Sequence, residues 1–173
     1  MLNNCCAFTG HRPHKFPWRY DETDSRCVAL KSALAGQITA LAEAGTTDFF
    51  SGCADGVDCW AALIVLELRE KNTALKLHCI LPHEGQADKW INSAQERYRF
   101  ILKQADSVEY VSREYYEGCM IDRNRRLVEA TGLLLAVYNG EQRGGTAATV
   151  RYAQKLRRRI VILDPVSLKA TRE

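Results

Sequence analysis

Short apolar runs alternate along this chain with longer stretches of helical periodicity. Residues 5–9 predict a first strand. Residues 24–44 follow as a helix, with Cys27, Leu30, Leu34, Ile38 and Leu41 at helical spacing and Gly45 as its stop. Residues 48–51 read as a second strand ending at Gly52. Residues 57–71 are apolar nearly all round, as in a helix packed between a sheet and its neighbours. A third strand over 75–81 is stopped by Pro82. A helix is expected over 86–105, with Tyr98, Ile101, Leu102 and Ala105 on one face. Then come a strand over 107–111, a helix over 119–130 with Leu127 and Val128 inward, a buried strand over 133–138, a helix over 146–156, and a last strand over 160–163 before Pro165.

Strand–helix alternation over the whole length predicts repeated right-handed βαβ units. The fold class is α/β: a Rossmann-like three-layer sandwich, with a mainly parallel sheet and helices on both faces. The 173 residues suit one domain, 1–173, with enough chain to bury a core. The one long irregular stretch is 10–23, and a loop of that length in a compact domain is usually functional or mobile.

Composition changes this picture little. A formal charge of +3 is too weak a bias to argue for nucleic acid. The seven cysteines are odd in number and contain no C-x-x-C pair, which argues against a disulfide framework or a zinc ribbon. Several sit in apolar runs as small hydrophobes, so a reducing, cytoplasmic setting is expected. Met1-Leu2-Asn3-Asn4 does not read as a signal peptide, and no apolar run approaches the length of a spanning helix, so no membrane role is expected. His11 and His14 lack a partner cluster, so no metal site is expected.

Ligands of an open parallel sheet bind beyond the carboxyl ends of its strands, and four such places carry chemistry. Thr9-Gly10-His11-Arg12 follows the first strand. Its glycine admits a close backbone approach and Arg12 can grip a phosphate, although a plain turn with a surface arginine has the same pattern. Ser51-Gly52-Cys53-Ala54-Asp55-Gly56-Val57-Asp58 follows the second strand and opens a helix, which makes an anion cradle. It is neither the G-x-G-x-x-G fingerprint nor a P-loop. Asp58 can cap that helix or accept from a ribose hydroxyl. Arg123-Asn124-Arg125-Arg126 starts a helix, with Arg125 and Arg126 reading as solvated. Gly140 to Thr146 precedes the next helix, and Gly144, Gly145 and Thr146 offer N–H groups and a hydroxyl, with Thr146 as a plain helix cap the alternative. Trp60 and Trp90 read as packing residues. Trp18 and Tyr20, in the long loop, pack or stack on a base.

This order of motifs, with Tyr152-Ala153 after the last of them, resembles the YpsA-type family of the SLOG superfamily, from Phe8 to about Pro165. The superfamily also holds the DNA-processing protein DprA (Smf) and the Lonely Guy phosphoribohydrolases. Ser51-Gly52-x-Ala54-x-Gly56-Val57-Asp58 is similar to the S-G-x-A-x-G-I-D stretch of DprA, and Arg123-Asn124-Arg125 to its R-N-R. The resemblance implies a Rossmann-like fold and a pocket for nucleotides or nucleotide-derived ligands such as ADP-ribose or NAD-like molecules; for the YpsA type it implies no settled activity. Lonely Guy enzymes carry P-G-G-x-G-T-x-x-E with a glutamate in the catalytic apparatus. Here Gly144-Gly145-Thr146 runs into Ala147-Ala148-Thr149-Val150, with no carboxylate at the matching place.

Three functions follow in order of preference. The first is a sensor or ligand-binding module for a nucleotide-derived small molecule, held by Gly10, His11, Arg12, Ser51, Gly52, Gly56, Asp58, Arg123, Asn124, Gly144, Gly145 and Thr146. The second is a hydrolase cutting a nucleotide N-glycosidic bond, for which Asp58 or Glu84 is the carboxylate, with Glu141 also near a strand end. The third is a single-stranded nucleic-acid binder using Arg151, Lys155, Arg157, Arg158 and Arg159, residues that a solvated helix end would also explain. No cofactor is assigned from the residues; a nucleotide-derived ligand is the one candidate. Domains of this type often pair as homodimers.

Overall fold

The computed structural model describes residues 2–173. The chain runs β1 (Cys5–Gly10), α1 (Ser25–Glu43), β2 (Asp48–Ser51), α2 (Val57–Arg69), β3 (Lys76–Leu81), α3 (Asn92–Gln104), β4 (Ser107–Tyr110), α4 (Cys119–Glu129), β5 (Leu133–Val137), α5 (Gly145–Lys155), β6 (Arg159–Leu163) and β7 (Ala170–Arg172). The strands form one sheet in the order β4-β3-β2-β1-β5-β6-β7, parallel except for the last pair.

The period-two alternation of a strand sorts its side chains onto two faces. In β1, Cys6 and Phe8 enter one core and Ala7 the other; in β5, Leu133, Leu135 and Val137 enter the first, and Leu134 and Ala136 the second. The chain steps outward from β1 to β4, returns beside β1 as β5, and then steps the other way. Right-handed crossovers taken in opposite directions place their helices on opposite faces. Hence α1, α2 and α3 cover one side of the sheet, and α4 and α5 the other. The expected Rossmann-like sandwich is the observed fold.

Local chemistry sets the ends of α1. The Asp24 side chain accepts from the backbone N–H of Arg26 at 2.8 Å, an N-cap. At the far end Gly45 has φ +101°, its N–H donates to Ala42, and the N–H of Thr46 donates to Leu41. This paired closure needs a left-handed residue, so glycine ends the helix there. The stripe Cys27, Leu30, Leu34, Ile38 and Leu41 is buried as its spacing predicts.

Two expectations need correction. The helix expected over 86–105 begins only at Asn92, because 83–90 form successive turns and Gln86 is drawn into the interior by its polar partners. The strand over 160–163 is not the last: Asp164 accepts from the N–H groups of Val166 and Ser167 at 2.8 and 2.7 Å, and the chain turns back as β7. The stretch 10–23, irregular as expected, is packed against the domain. Pro13, Phe16 and Trp18 are buried, and Glu22 joins Lys31, Arg97 at 2.7 Å and the indole N–H of Trp60 at 3.2 Å. No helix among the described residues is long and apolar enough to cross a membrane.

Candidate functional site

The order reversal puts the carboxyl ends of β1 and β5 side by side while their outgoing loops diverge. A crevice at that point is a consequence of topology. A cavity of about 340 Å³ opens there. Gly10, His11, Arg12, Asp58, Arg123, Asn124, Gly144, Gly145 and Thr146 all line it, gathered from loops far apart in sequence. Ser51, Gly52 and Gly56 do not line it; each acts on a residue that does.

Arg123, on α4, is 3% exposed. Its Nη1 donates to the carbonyl of Gly52 and, at 3.3 Å, to Oε1 of Gln86; its Nε donates to Oδ1 of Asn124 at 2.8 Å. Its Nη2 makes no hydrogen bond, and no carboxylate lies within 4.0 Å of the guanidinium, among the described residues. Burial lowers its pKa and the nearby Asp58 opposes that shift. Arginine nevertheless stays protonated in proteins. A buried cation without an ion-pair partner is costly unless an anion completes it.

Gly52 is explained by this arginine. A Cβ built on Gly52 would fall on the Arg123 guanidinium. Gly10 is likewise explained by packing, since its Cβ would lie 2.5 Å from Cγ1 of Val57. Gly56, with φ +98°, lets the start of α2 press against the backbone of His11 and Arg12, where a Cβ would lie 2.9 Å from the His11 carbonyl. The buried Ser51 hydroxyl donates to the Asp58 carbonyl at 2.9 Å and accepts from the Cys53 N–H at 3.0 Å, tying the end of β2 to α2.

Asp58 is 6% exposed on the first turn of α2. Burial pushes its carboxyl up to about 6, against the pull of Arg123, Arg12 and the Ala54 backbone N–H. Glu84 does not share this setting: it is exposed on the loop after β3, outside the cavity lining, with its N–H donating to Arg113. Glu141 does line the cavity, where Lys15 pairs with it at 3.4 Å.

The opposite wall is the start of α5. Gly144 is its N-cap and offers no side-chain cap. The N–H groups of Gly145, Thr146 and Ala147 therefore have no acceptor among the described residues, and they present the positive end of the helix dipole. Thr146 is not the cap that its sequence position allowed; it sits inside the first turn, 9% exposed. Arg12 is exposed and its side chain takes part in no ion pair or hydrogen bond among the described residues. His11 is held by Oδ1 of Asn139 at 3.2 Å, and burial lowers its pKa.

Lys15, Arg143 and Met120 also line the cavity without having been singled out in the sequence, as does His14, weighed there only as a metal ligand. Nor was Gln86, whose buried amide donates to the Gly52 carbonyl at 3.2 Å and accepts from Arg123. It lies in a segment whose pattern reads as helix, so no sequence signal marks it. Trp18 is packed, stacked on Phe16 at 4.7 Å between centroids; Tyr20 is 60% exposed. Trp60 and Trp90 are packing residues, Trp90 edge-on to Tyr98 at 5.4 Å. Arg125 and Arg126 face solvent and pair with Asp122 and Glu109. The basic stretch is divided: Arg151 and Lys155 lie on α5, Arg157 and Arg158 in the following turn, and Arg159 on β6. Arg158 and Arg159 donate to the carbonyls of Glu129 and Asn3, at 3.3 and 2.9 Å.

The model of the YspA SLOG family matches residues 6–165. A UPF0398 protein of Bacillus pumilus (strain SAFR-032) is 34% identical over 150 residues, covering 86% of this chain and 80% of that protein. One from Bacillus thuringiensis (strain Al Hakam) is 32% identical over 152 residues, covering 86% and 82%. Among solved structures, DNA processing protein A from Helicobacter pylori, described for its single-stranded DNA binding mode, superposes with a TM-score of 0.62 at 19% identity, over 92% of this chain and 65% of that one. DNA processing protein A from Streptococcus pneumoniae gives 0.60 at 16% identity, over 94% and 52%. The chain thus spans between half and two thirds of the length of these structural neighbours, and at such identities the likeness is one of fold.

Proposed function

The chain belongs to the YspA SLOG family, and from the chemistry of its cavity we propose that it binds a nucleotide or nucleotide-derived small molecule by its phosphate, as a sensor or ligand-binding module. The observation that carries this reading is Arg123, a buried cation lining the cavity with no carboxylate in ion-pair range. Arg12 and the uncapped start of α5 converge on the same space. Guanidinium forks and helix N-termini both recognise phosphate oxygens. We place the protein in the cytoplasm, where the six buried cysteines meet a reducing setting.

Titration calorimetry with ADP-ribose, NAD, AMP and inorganic phosphate tests the reading. Binding is expected for at least one of them, weakened at least about tenfold by Arg12→Ala, the loss of a charge-assisted phosphate contact. No heat at millimolar ligand, or an unchanged affinity in the variant, removes it.

Asp58 supports a second reading, hydrolysis of an N-glycosidic bond. A carboxyl raised to about 6 at the cavity wall is poised for proton transfer near neutral pH. Against it, the first turn of α5 carries no acidic residue. Release of free base from a nucleoside monophosphate or NAD, abolished by Asp58→Asn, would establish turnover. The single-stranded DNA reading has less support, because Arg158 and Arg159 spend hydrogen bonds on protein carbonyls, which leaves Arg151 and Lys155 as the pair of the stretch that lines a common groove, between α4 and α5.

A further inference from the structure

We propose that Ser107, His78 and Asp48 form a second site, an acyl-transfer centre in which Ser107 is the nucleophile and a small carboxylic ester the substrate. It lies toward the amino ends of the strands, away from the phosphate cavity at their carboxyl ends, and it does not depend on the binding reading.

Strand alternation builds the site. In β3, Leu77, Cys79 and Leu81 enter the core beneath α1, α2 and α3, and Ile80 enters the core beneath α4 and α5. His78 shares the face of Ile80. The register sets it beside Phe50 of β2 and Ser107 of β4. α4 packs on β3, and Ile80 is buried. Nearer the amino ends the same face is open: the side chains of His78 and Asp48 are 18% and 24% exposed, and Ser107 is exposed.

Two hydrogen bonds run through the imidazole. Its Nε2 lies 2.8 Å from Oδ1 of Asp48, and its Nδ1 lies 2.7 Å from Oγ of Ser107. Burial would raise the Asp48 carboxyl, but hydrogen bonds from Thr47 and His78 hold it below its ordinary value. Asp48 is thus a carboxylate and can only accept. In the neutral imidazole Nε2 therefore carries the proton, which leaves Nδ1 to accept from the Ser107 hydroxyl. The other Asp48 oxygen accepts from the Thr47 hydroxyl at 2.7 Å, and Thr47 accepts from the Asn4 amide at 2.9 Å. Phe50 stacks on the His78 ring at 4.6 Å, with 25° between the planes. Position, tautomer and plane of the base are all set. A nucleophile within reach of a base that a third group orients is the recurring arrangement of nucleophilic catalysis.

A strut that only fastened the edge strand would not need this. β4 is already held by its ladder to β3 and by Asp106, whose carboxylate accepts from the Leu77 N–H at 2.9 Å and from Arg69 at 2.9 Å.

In the reaction Oγ of Ser107 attacks the ester carbonyl carbon as its proton passes to Nδ1 of His78. The C–O bond to the alcohol breaks, and the alcohol leaves with that proton. Water then gives a proton to His78 and attacks the acyl-serine. The acid departs, and the proton returns to Oγ. β4 is the outermost strand, so the N–H groups on its outer side face no other strand among the described residues. They are the donors at hand for the oxyanion.

The experiment uses a fluorophosphonate, from whose phosphorus Oγ of Ser107 displaces fluoride, and p-nitrophenyl acetate as the ester. Peptide mass spectrometry follows the adduct on each serine. In the folded protein Ser107 is expected to react at least about a hundredfold faster than in the urea-unfolded chain, the usual gain from a positioned base. Ser25 and Ser167, also exposed, should show no such gain. Asp48→Asn leaves Ser107 and His78 present but removes the acceptor that sets the tautomer, and it is expected to slow labelling at least about tenfold. Ser107→Ala and His78→Gln are expected to abolish ester hydrolysis above the unfolded-chain background. Thermal melting confirms that the variants fold, and the wild-type labelling comparison needs no variant. Equal labelling of Ser107 in the folded and unfolded chain would overturn the proposal. So would an unchanged labelling rate in Asp48→Asn, or ester hydrolysis that survives Ser107→Ala.

Discussion

Gly52 and Arg123 occupy one volume: the Gly52 carbonyl accepts from Nη1 of Arg123, and a Cβ on Gly52 would lie on that same guanidinium. The glycine in the strand-end turn thus admits an arginine, and the arginine faces the cavity. Gly52→Ala is expected to displace Arg123, costing about 1–3 kcal/mol of stability, as overpacking does. It should also weaken phosphate binding. The check is a double-mutant cycle by urea denaturation. In an Arg123→Ala background the alanine at 52 has room, and its cost should shrink to about 0.5 kcal/mol or less. Simple additivity of the two costs would show that the shared volume is not what the glycine serves.

Asp58 gives a pH dependence whose sign is opposite to that of an ordinary ion-paired carboxylate. Burial raises its folded pKa to about 6, from the 3.8 of an ordinary aspartate. The folded state therefore favours the protonated form. The stability this group contributes is fully present below about pH 4 and is lost as the pH rises through about 6. At 1.36 kcal/mol per unit the difference is about 3 kcal/mol. Denaturation of wild type and Asp58→Asn across this range isolates the effect. The variant should be the more stable near neutrality, and its advantage should vanish toward pH 4. A constant difference between the two would refute the assignment.

The fold was legible where it is written in periodicity. The alternation of apolar runs and helical stripes gives the sheet, both helical layers and the glycine stop at Gly45. The cavity was legible too, because strand ends in a parallel sheet are where such sites form, and Arg12, Asp58, Arg123 and Gly144 to Thr146 do converge there. What was hidden depends on tertiary contact. Gln86 reads as one residue of a helix until its amide meets the Gly52 carbonyl. Gly10 reads as backbone approach to a ligand and Gly52 as part of an anion cradle, yet what each would otherwise clash with is Val57 or Arg123. β7 has no apolar alternation to announce it and forms because Asp164 closes a turn.

Glu22 holds the long loop after β1 to three helices, since Lys31 lies on α1, Trp60 on α2 and Arg97 on α3. Burial alone would raise its carboxyl, but the hydrogen bonds from Lys31 and Arg97 bring it below the usual value. Its contribution is therefore present above about pH 4.5 and fades as the pH falls through the folded pKa, the reverse of Asp58. Glu22→Gln is expected to cost about 1–3 kcal/mol, as loss of a hydrogen bond to a charged partner does. Limited proteolysis should then cut first within 10–23. Unchanged stability with an intact loop would mean that Phe16 and Trp18 hold the segment without Glu22.

Gly144 separates strain from function at the start of α5. Its φ of +101° with ψ of 173° lies in a region that only glycine occupies freely, and a Cβ there would meet nothing within 4 Å. Gly144→Ala therefore introduces backbone strain without a clash, at a cost of about 1–3 kcal/mol. The chain can relieve that strain only by rotating the peptide that leads into Gly145. Such a rotation re-aims the N–H groups of Gly145 and Thr146, which are those facing the cavity. Gly140, at φ +86° with equally free surroundings, lies on the same connection but outside the cavity lining. Gly140→Ala supplies the matched comparison. Both variants should lose stability to a similar degree in denaturation. Only Gly144→Ala should weaken the binding of phosphate-bearing ligands. If Gly140→Ala weakens it equally, the loop acts as a whole, and the aligned N–H groups of α5 are not the phosphate's anchor.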